Sequence, residues 1–93
     1  MVFLELVRRG YRVYSGKTSH GEIDFVAENG WGTLYVQAAE SVRDPAALER
    51  ELGPLRKIRD FYPKLILTLD QDPEADCDGI RRRYVLDWLM EAP

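Results

Sequence analysis

The chain has 93 residues and a formal net charge of −3. It has room for one domain, because a chain this short buries only about two-thirds of its unfolded surface. No apolar run approaches the roughly 20 residues that cross a bilayer and nothing resembles a signal peptide, so a cytoplasmic location is expected. The net acidity gives no support to a strongly basic nucleic-acid-binding surface. A single cysteine, Cys77, excludes an internal disulfide; with the lone His20 it has no zinc-ligand spacing, and it is expected to be an ordinary loop thiol.

The first predicted element is a helix at the start of the chain. Apolar residues at Val2-Phe3-Leu4, Leu6 and Val7 have helical spacing, and Gly10 is expected to end the helix. No capping residue or turn precedes this pattern, and natural chains rarely begin in this way. We therefore expect the chain to be a fragment of a longer protein.

An antiparallel meander of three strands is predicted next. Tyr11–Tyr14 alternates as a strand, and a loop of small residues leads through His20-Gly21 into a second strand, Glu22–Glu28. Asn29-Gly30-Trp31-Gly32 is a strong hairpin signal, and the third strand is Thr33–Ala39.

A second helix is predicted from Asp44, with the aspartate as N-cap and Pro45 at the first helical position. The Gly53-Pro54 pair predicts a kink or a break, because proline lacks an N–H and clashes with the preceding turn. The apolar residues that mark the buried face are Leu48, Leu52, Leu55 and Ile58.

The last third of the chain predicts two more strands and a helix. Lys64–Leu69 is almost continuously apolar, as expected for a central strand covered on both faces. Pro73–Gly79 is predicted to be an acidic loop, Ile80–Val85 an edge strand and Asp87–Glu91 a short helix. This order predicts an α/β fold with a mixed central sheet flanked by helices.

Two polar residues on neighbouring strands form the candidate site. Alternation places Ile23 and Phe25 on one face of the second strand and Asp24 on the other, and it places Gln37 with Tyr35 and Ala39 on one face of the third. A mid-strand aspartate is unfavourable unless another interaction compensates for it. We expect Asp24 and Gln37 to share a face, close enough to hold one water or metal ion.

These residues and this order of elements resemble the PD-(D/E)XK nuclease superfamily, whose αβββαβ core is restriction-endonuclease-like and similar to archaeal Holliday-junction resolvases. Several short sequence segments resemble one branch of this superfamily, the C-terminal domain of unknown function of many bacterial and archaeal AAA-type ATPases. The segments that carry this resemblance cover nearly all of residues 1–93 as one domain: Phe3-Leu4-Glu5-Leu6, Arg9-Gly10-Tyr11, Gly21–Ala27, Tyr35-Val36-Gln37, Arg50-Glu51, Pro54-Leu55, Lys57-Ile58 and Tyr62-Pro63-Lys64.

The resemblance implies a Mg²⁺ site with Asp24 and Gln37 as ligands and Glu5 as the carboxylate supplied by the first helix. It also implies an ATPase module preceding this domain, although no phosphate-binding loop is present here to bind ATP. The lysine of the superfamily falls at Ala39, and the loss of such a group typically lowers the rate on the order of 10²- to 10⁴-fold. Lys17 and Lys57 are the candidates for a displaced lysine, although each also fits an ordinary surface charge.

Several candidate residues have structural alternatives. Glu5 is spaced to pair with Arg9 on the helix surface, and Glu22 is a second candidate carboxylate on the face of Asp24. The run Arg81-Arg82-Arg83 fits phosphate contact, but it also fits charges that protect an edge strand, which we favour. The aromatic residues expected to pack in the core or the hairpin rather than to stack on bases are Tyr14, Trp31, Tyr35, Tyr62 and Trp88.

The sequence favours a nuclease-like domain that has lost or nearly lost catalysis and acts as a DNA- or protein-binding, regulatory module of an ATPase. An active Mg²⁺-dependent DNA endonuclease is the alternative from the enzyme class. A purely structural role in contacts between domains or copies, through an apolar face, is the third hypothesis, and the sequence leaves the oligomeric state open.

Overall fold

The computed structural model describes residues 1–19 and 21–91, and His20 therefore lies outside the described residues. The first half of the chain contains α1 (Val2–Arg8), β1 (Arg12–Thr18), β2 (Gly21–Asn29), β3 (Gly32–Ala39) and α2 (Pro45–Arg56). The second half contains β4 (Lys64–Thr68), β5 (Ala75–Cys77), β6 (Ile80–Tyr84) and α3 (Val85–Met90). None of these helices, within the described ranges, has the length and apolar character needed to cross a bilayer.

The strands form one mixed six-stranded sheet in the order β1-β2-β3-β4-β6-β5. The first three strands are antiparallel neighbours, β4 runs parallel to both β3 and β6, and β5 is antiparallel to β6. The crossover from β3 to β4 contains α2, as expected where a parallel strand must return to the same end of a sheet. The prediction of an α/β fold with a mixed, helix-flanked sheet is confirmed.

Helices cover both faces of the sheet. Leu65 and Leu67 of β4 belong to the cluster beneath α1 and α3, whereas Ile66 belongs to the cluster beneath α2. This alternation confirms the prediction of a central strand buried on both faces. The two clusters fix which face each side chain of the candidate site occupies.

Helix α2 begins as predicted but does not break. The Asp44 carboxylate accepts a hydrogen bond from the Ala46 N–H at 3.3 Å, and Pro45 is the first helical residue. The helix then continues through Pro54 to Arg56, so of the predicted kink or break the structure contains no break. Glycine explains this continuity, because Gly53 has no Cβ to clash with the following proline ring in the helical conformation. Pro54 is itself buried, so packing offsets the lost backbone hydrogen bond.

The predicted acidic loop contains strand β5, which corrects two expectations. Asp78 and Gly79 adopt positive φ angles of 56° and 87°, as a tight turn requires, and Cys77 pairs with Ile80 across it. The edge of the sheet is therefore β5, and the prediction that Ile80–Val85 is an edge strand is wrong. Cys77 lies in a strand and packs against the core cluster beneath α2, so it is not a loop thiol. Helix α3 starts at Val85, before the predicted Asp87.

An irregularity in β2 corrects the predicted alternation around Asp24. Tyr14 pairs with Val26 but Gly16 pairs with Ile23, so β2 has one extra residue opposite Ser15. Ile23 and Val26 consequently both join the cluster beneath α2, whereas Phe25 packs on the opposite face. The prediction that Ile23 and Phe25 share a face is wrong. Strand β1 is also longer than predicted and extends to Thr18.

Candidate functional site

The candidate site lies where β2 and β3 separate. Their pairing runs from Asn29 and Gly32 to Phe25 and Val36, and the next pair in the same register would be Asp24 and Gln37. Beyond this point β2 continues beside β1, and β3 continues beside β4. The sheet thus opens into a gap that we call the strand fork, bounded by Glu22, Asp24, Gln37 and Ala38.

Side chains supply the hydrogen bonds that the separating backbones cannot make with each other. Gln37 Oε1 accepts from the Asp24 backbone N–H at 2.7 Å, and Gln37 Nε2 donates to the Glu22 carbonyl at 3.0 Å. In return, Asp24 Oδ2 accepts from the Ala38 backbone N–H at 2.9 Å. Backbone groups that lose their strand partners must be paired in this way unless water reaches them. The strand fork is therefore closed by reciprocal bonds between Asp24 and Gln37.

The Gln37 side chain is more buried than that of Asp24, and all of its polar atoms are hydrogen-bonded. Its side chain is on the α2 side of β3, together with Tyr35 and Ala39, and it is 2 % exposed. Both ends of its amide are used by β2. Asp24, by contrast, is exposed and presents its carboxylate at the surface of the fork.

The donor set at the fork is a poor fit to Mg²⁺. This ion takes oxygen ligands in near-octahedral geometry and holds tightly to its waters. Gln37 Oε1 could reach such an ion only if the fork opened, because it is buried against the Asp24 N–H. Across residues 1–19 and 21–91, no three acidic, histidine or cysteine side chains are grouped to hold a metal.

The position expected to carry lysine lies beside apolar surface. Ala39 and Ala38 line a cavity of about 260 Å³ together with Leu67, Leu69 and Val85, where β3 and β4 end. Ala39 also packs against the core cluster beneath α2. No lysine or arginine of the described chain is among the residues that line this cavity. Its lining is mostly apolar, with Glu40 and Thr68 as polar members, so no side chain there supplies the positive charge of a lysine.

The two candidate replacement lysines occupy different places. Lys17 is on β1, opposite Glu22, and Lys57 caps the C-terminal end of α2. Both side chains are exposed. Within the described ranges, neither forms an ion pair with Asp24.

Glu5 is engaged with arginines rather than with the fork. Its carboxylate accepts hydrogen bonds from Arg8 at 2.6 Å and from Arg9 at 2.6 Å, and these two guanidinium groups lower its pKa to about 2. Arg9 in turn donates to the Trp88 carbonyl at 2.7 Å and lies over the Trp88 ring. Glu5 thereby helps to join α1 to α3. Glu22 contributes its backbone carbonyl to the fork, while its side chain is exposed.

A carboxylate that was not predicted as a site residue also lies near Asp24. Burial raises the pKa of Glu51 on α2, and the negative charge of Asp24 raises it further. The spacing of Glu51 from apolar residues of the same helix could have identified it in the sequence. Glu51 follows Leu48 by three positions and precedes Leu55 by four, which places it on the face of α2 that packs against the sheet.

The predicted basic and aromatic groups have different surroundings from those expected. Arg81-Arg82-Arg83 lies on internal strand β6, and its guanidinium groups pair with Glu74, Asp72 and Glu91 at 2.7 to 3.6 Å. Trp88 is a core residue as expected. Trp31 is 96 % exposed, so the prediction that it packs in the hairpin is wrong.

An uncharacterized protein of Haemophilus influenzae is similar to this chain, with 40 % identity over 91 residues. The similarity covers 98 % of this chain but 22 % of the relative, so the chain spans about a fifth of the length of that protein. No protein-family model matches the chain, and no solved structure matches it.

Proposed function

We propose that this chain is a nuclease-like domain that has lost catalysis and acts as a binding or regulatory module of an AAA-type ATPase. The observation that carries this proposal is the use of the Gln37 amide. Its oxygen and nitrogen close the strand fork, so the residue in the metal-ligand position serves as a structural bridge. The order α1, β1, β2, β3, α2, β4 is the αβββαβ order, which supports a restriction-endonuclease-like core.

Two further observations support the loss of catalysis. Among the described residues, no lysine or arginine lines the cavity at Ala39 to assist a water molecule in attacking phosphate. Glu5, the expected helix carboxylate, is held in ion pairs with two arginines, and Arg9 links α1 to α3. The exposed Asp24 carboxylate alone is insufficient to hold Mg²⁺ in a catalytic geometry.

The test is a cleavage assay on single-stranded, duplex and branched DNA with Mg²⁺ or Mn²⁺. We expect the unmodified domain and its Asp24→Ala variant to show the same absence of cleavage. A Gln37→Glu, Ala39→Lys double variant restores the superfamily residues at both positions, and circular dichroism shows whether it remains folded. Cleavage by this variant alone would support a decayed site on an intact scaffold. Robust cleavage by the unmodified domain that disappears in Asp24→Ala would establish the active endonuclease instead.

A second candidate function, protein contact, is favoured by the surfaces of α1 and α3. Large apolar side chains on these helices face solvent rather than the sheet, and we call them the apolar helix face: Phe3, Leu4, Val7, Leu86 and Met90. Leu4 is 68 % exposed and Met90 is 86 % exposed. A cluster of this kind on a small domain is typical of an interaction surface. The ATPase module or a second copy of the domain is the partner that we propose for this face.

A further inference from the structure

Three aromatic residues project from the end of the sheet opposite the strand fork. Trp31 occupies the turn between β2 and β3, and Phe61 and Tyr62 belong to the loop between α2 and β4; we call the three the aromatic ledge. Trp31 is 96 % exposed, and Phe61 is fully exposed. Packing within the domain therefore does not account for either ring.

The backbone beneath the aromatic ledge is held in place. The Tyr62 ring lies so close to Gly32 that a Cβ there would meet Cε1 of the ring at 2.9 Å. The Tyr62 N–H donates to Asp60 Oδ1 at 3.0 Å, and Lys64 Nζ donates to the Tyr62 carbonyl at 3.0 Å. Asp60 is fixed by the Tyr35 hydroxyl, which donates to Oδ2 at 2.7 Å. The loop that presents Phe61 is thus anchored at its next residue.

The turn that presents Trp31 is fixed in a similar way. Asn29 Oδ1 accepts from the backbone N–H groups of Trp31 and Gly32 at 2.8 and 3.1 Å. Tyr62 then connects the two segments, since it lines one cavity with Phe61 and two others with Trp31. These cavities have volumes of about 350, 190 and 430 Å³. The two segments that carry the exposed rings are therefore anchored next to each other through Tyr62.

Three exposed cations accompany the rings, and two of them have no ion pair in the described chain. Lys57 and Arg59 lie four and two positions before Phe61 in the chain, and within residues 1–19 and 21–91 neither forms an ion pair. Arg12 lines the cavity beside Trp31; its side chain is 84 % exposed and approaches Glu28 only to 3.7 Å. The acidic residues that line these cavities are each paired: Asp60 with Lys64 at 2.9 Å, Asp78 with Arg56 at 3.1 Å and Glu28 with Arg12 at 3.7 Å. Lys57 and Arg59 therefore remain available to an anionic partner, and Arg12 would have to share its pairing with Glu28.

We propose that the aromatic ledge binds single-stranded nucleic acid, with bases stacked on Trp31 and Phe61 and phosphates near Arg12, Lys57 and Arg59. Exposed ring faces combined with exposed cations are what a strand of unpaired bases requires, and every base offers a face for stacking. A duplex keeps its bases stacked on each other and gains only the charge contacts. The available cations favour this anionic partner over a protein. The inference concerns binding at the opposite end from the strand fork and holds whether or not the domain cleaves DNA.

Binding of a fluorescent oligothymidylate, followed by anisotropy in EDTA and low salt, tests the proposal. EDTA removes metal-dependent cleavage, so failure of the inactive-nuclease proposal would not affect the result. We expect tighter binding to the oligothymidylate than to a duplex of equal length, and affinity that falls as salt increases. Trp31→Ala and Phe61→Ala should each weaken binding by about tenfold, and Lys57→Gln with Arg59→Gln should reduce its salt dependence.

Leu69→Ala is the matched control, because Leu69 is also an exposed apolar side chain but follows β4, at the end of the sheet that carries the strand fork. It should leave the affinity unchanged. All of these positions are at the surface, and circular dichroism shows whether each variant is folded. Absence of binding in low salt, or binding that neither aromatic substitution weakens, would overturn the proposal. Equal loss of affinity in Leu69→Ala would also overturn it, since binding would then have no preference for the ledge.

Discussion

Gln37 illustrates how one neutral side chain can replace two backbone partners. A carboxamide has both a donor and an acceptor, so it can satisfy the Asp24 N–H and the Glu22 carbonyl at the same time. A carboxylate in this position could accept from the N–H but could not donate to the carbonyl. The choice of glutamine is therefore explained by the fork itself, without reference to a bound metal.

Gln37→Glu should lower the free energy of unfolding by about 1–3 kcal/mol at neutral pH, because it leaves a carbonyl unpaired and buries a charge. Burial would raise the pKa of the introduced glutamate, so the folded state would bind protons more readily than the unfolded state. The deficit should consequently shrink as the pH falls. Urea denaturation at several pH values measures this change.

Gln71→Glu is the control for that experiment, since Gln71 is exposed. It should change the free energy of unfolding by less than about 0.5 kcal/mol. Equal stability of Gln37→Glu and the unmodified domain at neutral pH would show that the amide bridge is not needed.

Glu5 gives a pH dependence of the opposite sign. Arg8 and Arg9 lower its pKa from 4.5 to about 2, so its stabilising contribution is complete above the unfolded value and disappears as the pH falls towards the folded value. The stability difference between the unmodified domain and Glu5→Gln should therefore be constant near neutrality and should decline from about pH 4.5 to about pH 2. Thermal unfolding followed by circular dichroism measures this difference.

Glu40→Gln provides the comparison, because Glu40 is exposed and the described chain gives it no ion pair. Its effect should not follow the same pH profile. A Glu5→Gln effect that is independent of pH would contradict the role of the arginine pairs.

The sequence predicted which residues form the fork, but it did not predict how their atoms are used. Strand spacing was sufficient to single out Asp24 and Gln37, because both lie in mid-strand where polar residues are uncommon. It was insufficient to predict which polar atoms would be used, since that depends on where β2 and β3 separate. The proximity of Glu51 to Asp24 likewise arises from the packing of α2 on the sheet.

Among the secondary-structure elements, the β5–β6 hairpin depends on a two-residue turn. Asp78 and Gly79 have φ angles of 56° and 87°, in the left-handed region that side chains disfavour. Glycine adopts this region without steric cost, and aspartate is among the residues that tolerate it. The turn positions the short strand β5 as the outer neighbour of β6.

Gly79→Ala should lower the free energy of unfolding by about 1–2 kcal/mol through backbone strain alone, because no atom lies within 4 Å of the added Cβ. Gly30→Ala is the matched substitution, with equally open space but no positive φ. It should change stability by less than about 0.5 kcal/mol. Chemical denaturation compares the two variants, and similar effects would show that the turn conformation is not the cause.

Strong local patterns made most elements predictable. Strand β4 and the start of α2 follow directly from a continuous apolar run and from the Asp44-Pro45 pair. Strand β5 was not predicted because the acidic residues in and around it, Glu74, Asp76 and Asp78, obscured an Asp-Gly turn between short strands. The extra residue in β2 leaves no sequence pattern of its own, since it depends on pairing with β1.

At the scale of the whole molecule, the two ends of the sheet and its outer helices have different surfaces. The strand fork is closed by internal hydrogen bonds, the aromatic ledge carries rings and cations, and the apolar helix face carries aliphatic side chains. The surfaces proposed to bind partners thus lie away from the strand fork, the site predicted from the sequence. A role in which the domain connects a protein to nucleic acid would use both exposed surfaces at once.

Contact through the apolar helix face should appear as self-association that increases with protein concentration. Sedimentation velocity measures it, and Leu4→Lys with Met90→Lys should suppress it by placing charges on the face. Phe61→Lys is the control, because Phe61 is equally apolar and exposed but lies on the aromatic ledge. Association that persists in the double variant and disappears in the control would assign the contact to the ledge.

The two outer strands affect how the domain behaves among many copies of itself. Strand β5 has only three residues, and β1 carries exposed charges at Arg12 and Lys17 beside its register shift. Short, charged or irregular edges are poor templates for the addition of another strand. A sheet rich in apolar residues is in this way protected from edge-to-edge growth into fibrils. Its helices and loops still remain free to bind partners.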